Sequence, residues 1–234
     1  MTEKSAVIVV VERYSDMASI GTILKEYFSS TETQFVITRG DITSRDGVTP
    51  ANVITKLKTE VDTVRTKYGY QWKDLIRIIH IADTDGTFTK DCVVKADVKS
   101  IQYYEDHMES ANVEVTHQRN ANKAEVMFKL SSINKINSTD YRLYFNSCNL
   151  EHVLHNALKD FSADEKEEMS DAFAEKYKGH LPEFISFISD PDIAVSGTYR
   201  ETWKFIAKDK HSLQRHTNMH LIFDSGGLST PAHN

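Results

Sequence analysis

The sequence predicts an α/β protein: a doubly wound, mostly parallel sheet with helices on both faces, followed by a mainly helical C-terminal extension. Three observations carry that expectation. Ala6 to Val11 is a nearly unbroken run of valine and isoleucine, the composition of a strand buried on both faces in the middle of a parallel sheet. Short β-branched runs then alternate with stretches of helical periodicity, and parallel neighbours require such crossovers. Finally, Ile76 to Gly86 (Ile-Arg-Ile-Ile-His-Ile-Ala-Asp-Thr-Asp-Gly) is a strand-length apolar run that ends in two aspartates and a turn-forming glycine.

Length and composition narrow the field. The chain has 234 residues, enough for one large α/β domain with an appendix; we divide it into an α/β domain, residues 1–160, and an extension, residues 161–234. Hydrophobic residues make up 40% and charged residues 26%, and with 9 glycines and 4 prolines the chain is not of low complexity. A net charge of −6 gives no global positive field to hold nucleic acid, so a phosphate-binding role needs metal ions or local basic patches. Cys92 and Cys148, the only cysteines, have no metal-type spacing and form no disulfide framework, which points to a reducing, cytoplasmic setting. No apolar run approaches the roughly 18–20 residues that span a bilayer, and the polar start Met1 to Lys4 is not that of a signal peptide.

In chain order, Glu12 closes the first strand. Ser15 and Asp16 are expected to cap a helix reaching about Ser29, with Met17, Ile20, Ile23, Leu24, Tyr27 and Phe28 on its apolar face. Gln34 to Thr38 reads as a strand. Pro50 fits the first turn of a helix running to about Tyr68, with Val53, Leu57, Val61 and Val64 on one side. After Gly86 the expectations are a helix over Lys99 to Met108, a strand over Val113 to Thr116, a helix over Ala121 to Asn137 and a strand over Tyr141 to Phe145. A helix then opens at Cys148 or Asn149. In the extension, Ala163 to Tyr177, Leu181 to Ile188 and Thr198 to Lys208 read as helices, with a turn at Asp190-Pro191-Asp192, a last strand at Met219 to Phe223 and a frayed tail from Asp224.

The chemistry-bearing residues sit where strands hand over to loops. Ligands of open α/β sheets bind outside the carboxyl ends of the strands, so Glu12 and the Asp83-x-Asp85 pair belong on the functional edge if their strands share the sheet. Residues i and i+2 of an extended segment project to one side, so Asp83 and Asp85 offer hard oxygen donors suited to Mg2+ or Mn2+. Read alone, Asp85-Gly86 is ordinary turn chemistry; the apolar lead-in to Glu12 is what makes an unpaired carboxylate costly and a partner necessary. Glu151 is a candidate fourth ligand or general base, or else a first-turn acid complementing a helix dipole, and His155 is a candidate proton carrier. Arg13, Lys208 and Arg215 are candidate phosphate contacts, the last two in a locally basic stretch that reads otherwise as a solvated helix end, and Tyr103 and Tyr104 are able to stack on bases or to fill core.

The segments Val9-Val10-Val11-Glu12-Arg13 and His80-Ile81-Ala82-Asp83-Thr84-Asp85-Gly86 resemble the Toprim fold, which places a glutamate after its first strand and an Asp-x-Asp pair after a later one. Asn146-Ser147-Cys148-Asn149-Leu150-Glu151, with His155 four beyond the glutamate, looks like a segment of RloB-like and OLD-type antiphage-defence proteins. Arg13 stands where such proteins often carry glycine, and Ser147 where proline is common. The resemblance spans about Ala6 to Leu158. It implies a Mg2+- or Mn2+-dependent nuclease that cuts DNA or tRNA, with Glu12, Asp83 and Asp85 on the metal and Glu151 and His155 assisting. It also implies a partner ATPase of ABC or SMC type in an abortive-infection defence system. The sequence leaves the number of copies open, a homodimer included. Two other classes remain. One is a non-catalytic interaction subunit in which Arg13 pairs with a site carboxylate in place of a metal. The other is a phosphoacceptor domain resembling a response regulator, which has no place for the helical extension or the Glu151 segment.

Overall fold

The first strand, β1 (Ala6–Val11), is buried along its whole length and splits the protein into two layers. Ala6, Ile8 and Val10 enter one apolar cluster, and Val7, Val9 and Val11 enter the other, as the two-residue period of a strand requires. Each fully buried valine or isoleucine contributes about 1.5–3 kcal/mol, which fixes this strand at the sheet centre. The structure is a computed structural model and describes residues 5–29, 31–38, 41–89 and 91–224.

Around β1 the main sheet runs in the order β2 (Glu32–Ile37), β1, β3 (Leu75–Asp83), β8 (Thr139–Asn146), β7 (Lys135–Ile136). The first four strands are parallel; β7 pairs antiparallel with β8 through a turn at Asn137, whose φ is 55°. The fold is therefore α/β with a mostly parallel, mixed sheet. One face is covered by α2 (Val53–Lys67), α3 (Val113–Ser132) and α7 (Tyr199–Ile206) through Leu57, Val61, Met127, Leu130, Trp203 and Ile206. The other is covered by α1 (Tyr14–Tyr27), α4 (Leu150–His155), α5 (Ala163–Tyr177) and α6 (Leu181–Ile188), through Ile23, Val153, Phe173 and Phe184. The extension thus supplies side chains to both layers of the one core. No helix of the described residues is long and apolar enough to cross a membrane.

Several local expectations are corrected. Lys99 to Met108 is not a helix: β5 (Gln102–Tyr103) and β6 (Met108–Ser110) join β4 (Val93–Lys95) in a small second sheet, so Tyr103 and Tyr104 are not helical. Pairing with a distant segment, including Met108 N to Cys92 O at 2.7 Å, overrides local periodicity there. Val113 to Thr116 is the first turn of α3 and not a strand. Its Val-Glu-Val alternation imitates a strand, but the Asn112 side chain accepts from Val115 N at 3.1 Å and caps a helix. That helix ends at Ser132, because residues 135–136 are drawn into the hairpin with β8. Met219 to Phe223 is not a strand; α8 (Leu221–Asp224) begins within it after Thr217 Oγ1 accepts from Met219 N. Two helix starts also move. Asn52, not the Pro50 region, precedes the first residue of α2, and Asp16 lies inside the first turn of α1, where it accepts from Arg13 N at 2.9 Å. The tail from residue 225 lies outside the described residues.

Candidate active site

Strands β1 and β3 are parallel neighbours, with Val10 opposite His80, so both chains leave the sheet at the same edge. Glu12 is the first residue beyond β1 and Asp83 the last of β3. Glu12 Oε1 accepts the backbone N–H of Asp83 at 3.1 Å, across 71 positions of sequence. Both carboxylates are almost sealed from bulk solvent, at 3% and 5% exposure. Asn146, opposite Asp83 at the end of β8, brings its amide nitrogen to 3.5 Å from Asp83 Oδ1, while its own oxygen accepts from the Thr217 hydroxyl at 3.1 Å.

The turn that follows is held from two sides. Thr84 N donates to Asn146 O at 2.9 Å and Asp85 N to Cys148 O at 2.8 Å. The Thr84 hydroxyl donates to Ser212 O at 3.0 Å and accepts from Cys148 N at 3.0 Å. Asp85 and Gly86 both adopt left-handed conformations, with φ of 47° and 65°. A Cβ on Gly86 would lie 2.5 Å from Leu213 Cδ2 and 2.9 Å from Met108 Sδ, so any other residue would have to push these side-chain ends aside at a left-handed φ, which glycine avoids. Because Asp85 is not extended, the same-side rule for Asp83 and Asp85 does not apply. The Asp85 carboxylate is engaged elsewhere, by Lys123 of α3.

Lys123 is the residue sequence reading missed. It is completely buried, and its Nζ lies 2.5 Å from Asp41 Oδ2 and 2.6 Å from Asp85 Oδ2. Arg119, one turn earlier, donates to Asp85 O at 3.1 Å and lies 4.0 Å from its Oδ2. Burial works against the ammonium charge of Lys123, but Asp41, Asp85 and Glu12 outweigh it and hold the proton more tightly than usual. Burial likewise opposes the Asp41 carboxylate, which Lys123 and the hydrogen bonds around it nevertheless hold well below its ordinary range. A sequence signal existed: Thr116, Asn120, Lys123, Met127 and Leu130 form a helical stripe of buried residues, and a lysine in such a stripe requires buried anions.

These groups line a cleft of about 350 Å³ that includes Glu12, Arg13, Asp41, Asp83, Asp85 and Arg119. Arg13 does not seal it. Burial disfavours the guanidinium charge, but Asp83, Glu12, Asp16 and Glu151 together strengthen it. Burial first, then repulsion from Asp41 and Asp83, pushes the Glu12 carboxyl well above its usual range. Burial, then Asp16, Glu151 and Asp85, does the same to Asp83. Six carboxylates (Glu12, Asp16, Asp41, Asp83, Asp85, Glu151) meet four cations (Arg13, Arg119, Lys123, Lys166), so the fully ionised cluster is two charges short of neutral.

The other sequence candidates fall around this cleft unevenly. Glu151, in the first turn of α4, lies behind it: Oε1 is 2.8 Å from Lys166 Nζ, and buried Oε2 has no hydrogen-bond partner among the described residues. His155 shares a small crevice with Glu151, Asp16 and Lys166, packs edge-on against Phe173 at 5.5 Å, and is pushed by burial below its ordinary pKa. Arg215 spends Nε and Nη2 on Val153 O at 3.0 and 2.7 Å and Nε also on His152 O at 3.2 Å, closing the end of α4, and is not among the residues lining the cleft. Lys208 is exposed beyond α7 and is not among the residues lining the cleft. Tyr103 lines it, with its hydroxyl 3.3 Å from Arg119 Nη1, while Tyr104 stacks on His107.

Compared with protein-family models, curated proteins and solved structures, the chain matches none. Among the described residues, no three His, Cys, Asp or Glu side chains form a metal-holding group. The donor set still suits one divalent cation of the Mg2+ kind, which takes one or two carboxylates and fills its remaining positions with water or phosphate oxygen. Glu12 and Asp83 would supply the carboxylates; burial favours their neutral forms, in which the cluster is balanced, so a cation's two charges would be matched by the loss of their two protons.

Proposed function

We propose that the protein is a metal-dependent phosphodiesterase of Toprim type, a nuclease acting on DNA or tRNA as the effector of a prokaryotic antiphage defence system, with an ABC- or SMC-type ATPase as its partner. The observation that carries the reading is the meeting of Glu12 and Asp83 at the carboxyl ends of adjacent parallel strands, beside an open cleft that also holds arginine.

In this reading Glu12 and Asp83 hold a Mg2+ or Mn2+ ion. Such an ion would supply Lewis acidity to a phosphate oxygen and acidify a bound water. The chain's own residues provide the rest. Arg13 and Arg119 line the cleft and present guanidinium donors to the phosphate, whose planar forks match its oxygens. Lys123 fixes Asp85 and removes it from the set of free carboxylates, so that a polyanionic substrate meets a smaller negative field. Asn146 orients Asp83, and Glu151 with Lys166 stands behind Arg13 as a further charged layer.

Cleavage of a labelled DNA duplex and of bulk tRNA in Mg2+ and in Mn2+ tests the assignment. Glu12→Gln and Asp83→Asn, which keep size and hydrogen-bonding capacity, are expected to abolish metal-dependent cleavage and to retain the far-ultraviolet circular dichroism of the parent. Cleavage retained in both variants removes the assignment.

A second reading draws on Lys123 and Arg13, which neutralise site carboxylates with protein charge: a non-catalytic subunit that docks its partner protein through this fold. Calorimetric titration separates the two. Heat of binding with millimolar Mg2+ or Mn2+ that disappears in Glu12→Gln supports the nuclease, and its absence in the parent supports the docking subunit.

A further inference from the structure

A second cleft, of about 430 Å³, lies on the other side of the Asp85 turn. Its volume falls within the roughly 300–1,000 Å³ usual for small-molecule sites. It shares two walls with the acidic cleft. The turn that presents Asp85 to one side continues into Thr87 and Phe88 on the other, and α3 presents Arg119 to the first cleft and His117, Asn120 and Ala124 to the second.

Its polar groups have capacity to spare. Thr87 is 5% exposed, and its hydroxyl has no hydrogen-bond partner among the described residues; the same is true of His117 Nε2. The Asn120 side chain, also buried, gives its amide nitrogen only a 4.0 Å contact with Met108 Sδ, while its oxygen accepts from Arg119 Nε at 3.1 Å. A buried hydroxyl or ring nitrogen without a partner costs about 1–3 kcal/mol, so two such atoms beside one cleft, next to an amide whose nitrogen meets only a sulfur, point to a ligand that completes them. The apolar part of the wall is aromatic. Phe88 is buried against Trp203 at 6.4 Å, whereas Phe128, 5.0 Å from Phe88 and tilted by 51°, is 44% exposed and leaves ring surface uncovered. An exposed aromatic face next to mixed hydrogen-bonding groups matches a flat heterocycle that stacks on one surface and presents donors and acceptors at its edge.

We propose that this cleft is a nucleobase subsite: a base stacks on Phe128 and its edge is read by Thr87, His117 and Asn120, next to the phosphate-binding cleft. The proposal deepens the nuclease reading and rests on it for the source of the base, but base binding itself requires neither metal nor phosphate. A strand entering the acidic cleft places the base of one nucleotide here, across a turn whose two sides are only two residues apart. A free nucleotide would present the same chemistry.

Adenosine, guanosine, cytidine and uridine are the probes, because nucleosides carry no phosphate and leave the acidic cluster out of the measurement. Saturation-transfer NMR is expected to show at least one of them binding the metal-free full chain in the millimolar range. Phe128→Ala, at an exposed position that tolerates truncation, should weaken that binding at least tenfold. Thr87→Val should weaken it several-fold, and Glu12→Gln should leave it unchanged. A trinucleotide that binds at least tenfold more tightly than its central nucleoside identifies a strand as the source; equal affinity identifies a free nucleotide. No binding of any nucleoside at 10 mM, or binding untouched by Phe128→Ala, overturns the subsite whether or not the protein cleaves nucleic acid. Conversely, nucleoside binding in a chain that fails the cleavage test leaves the subsite standing and removes only the nuclease.

Discussion

Replacing Lys123 by methionine keeps the length and volume of its stem and removes only the charge. Its Nζ is the close partner of Asp41 and Asp85 at 2.5 and 2.6 Å, in a position with no solvent exposure. Removing one partner of a buried ion pair costs about 3–5 kcal/mol, because the carboxylates left behind are unpaired. For a chain of this size each kcal/mol lowers the melting temperature by about 2–4 °C, so Lys123→Met should melt roughly 6–20 °C below the parent at pH 8. The pH dependence has a definite sign. In the parent, Asp41 is held below its ordinary range, so its contribution is complete above the unfolded carboxylate value of about 4 and is lost as pH falls below it. In the variant that lowering is gone, Asp41 and Asp85 repel Glu12 and Asp83, and protonation relieves the repulsion. The deficit should therefore shrink at pH 5. Added Mn2+ should raise the melting temperature of the variant more than that of the parent, since the two freed carboxylates become available to a cation. Thermal melts followed by circular dichroism at both pH values measure all of this. A variant within about 2 °C of the parent at pH 8, or one whose deficit does not shrink at pH 5, refutes the reasoning.

Other substitutions probe the supporting structure. Gly86→Ala places a methyl against Leu213 and Met108 at a left-handed φ, and should cost about 1–3 kcal/mol in urea unfolding while weakening metal binding through displacement of the Asp85 turn. His80 is fully buried against Tyr141, and burial lowers its pKa to about 4, so the unfolded chain binds its proton first and stability is lost as pH falls from about 6.5 toward 4. His80→Gln should reduce that acid sensitivity, by on the order of 3 kcal/mol at the acid end; an unchanged pH–stability slope would count against a neutral buried imidazole. Arg215→Ala should destabilise the fold by about 1–2 kcal/mol through the lost contacts to Val153 and His152, with little change in nucleic-acid affinity measured by fluorescence anisotropy.

What the sequence made legible followed from period and composition. The all-β-branched β1, the Asp-Thr-Asp-Gly end of β3 and the placement of Asn149 ahead of α4 are local signals, and the structure brings Glu12 and Asp83 together because neighbouring parallel strands end on a common edge. What was illegible depended on distant partners. Residues 99–110 have too few apolar positions to reveal a three-stranded sheet whose register is set from Val93–Lys95. Val113-Glu-Val115 alternates like a strand although Val115 faces solvent, and only the Asn112 cap betrays the helix. Lys123 and Asp41 lie 82 positions apart, and nothing local to either announces the pair. The stripe on α3 was the one available clue, because a cation among Val126, Met127 and Leu130 has to be explained by its neighbours.

The Thr84 hydroxyl reaches the carbonyl of Ser212, 128 positions later, and Ser147 N reaches His216 O. A chain emerging from the ribosome presents Glu12 and Asp83 long before it presents these latches. Until residues 212 to 218 have been synthesised and folded back, the loops after β3 and β8 lack that bracing, and the acidic edge stays unfinished. Order of synthesis and order of assembly therefore run together: the rim that carries Glu12 and Asp83 is braced by a segment made near the end of the described chain.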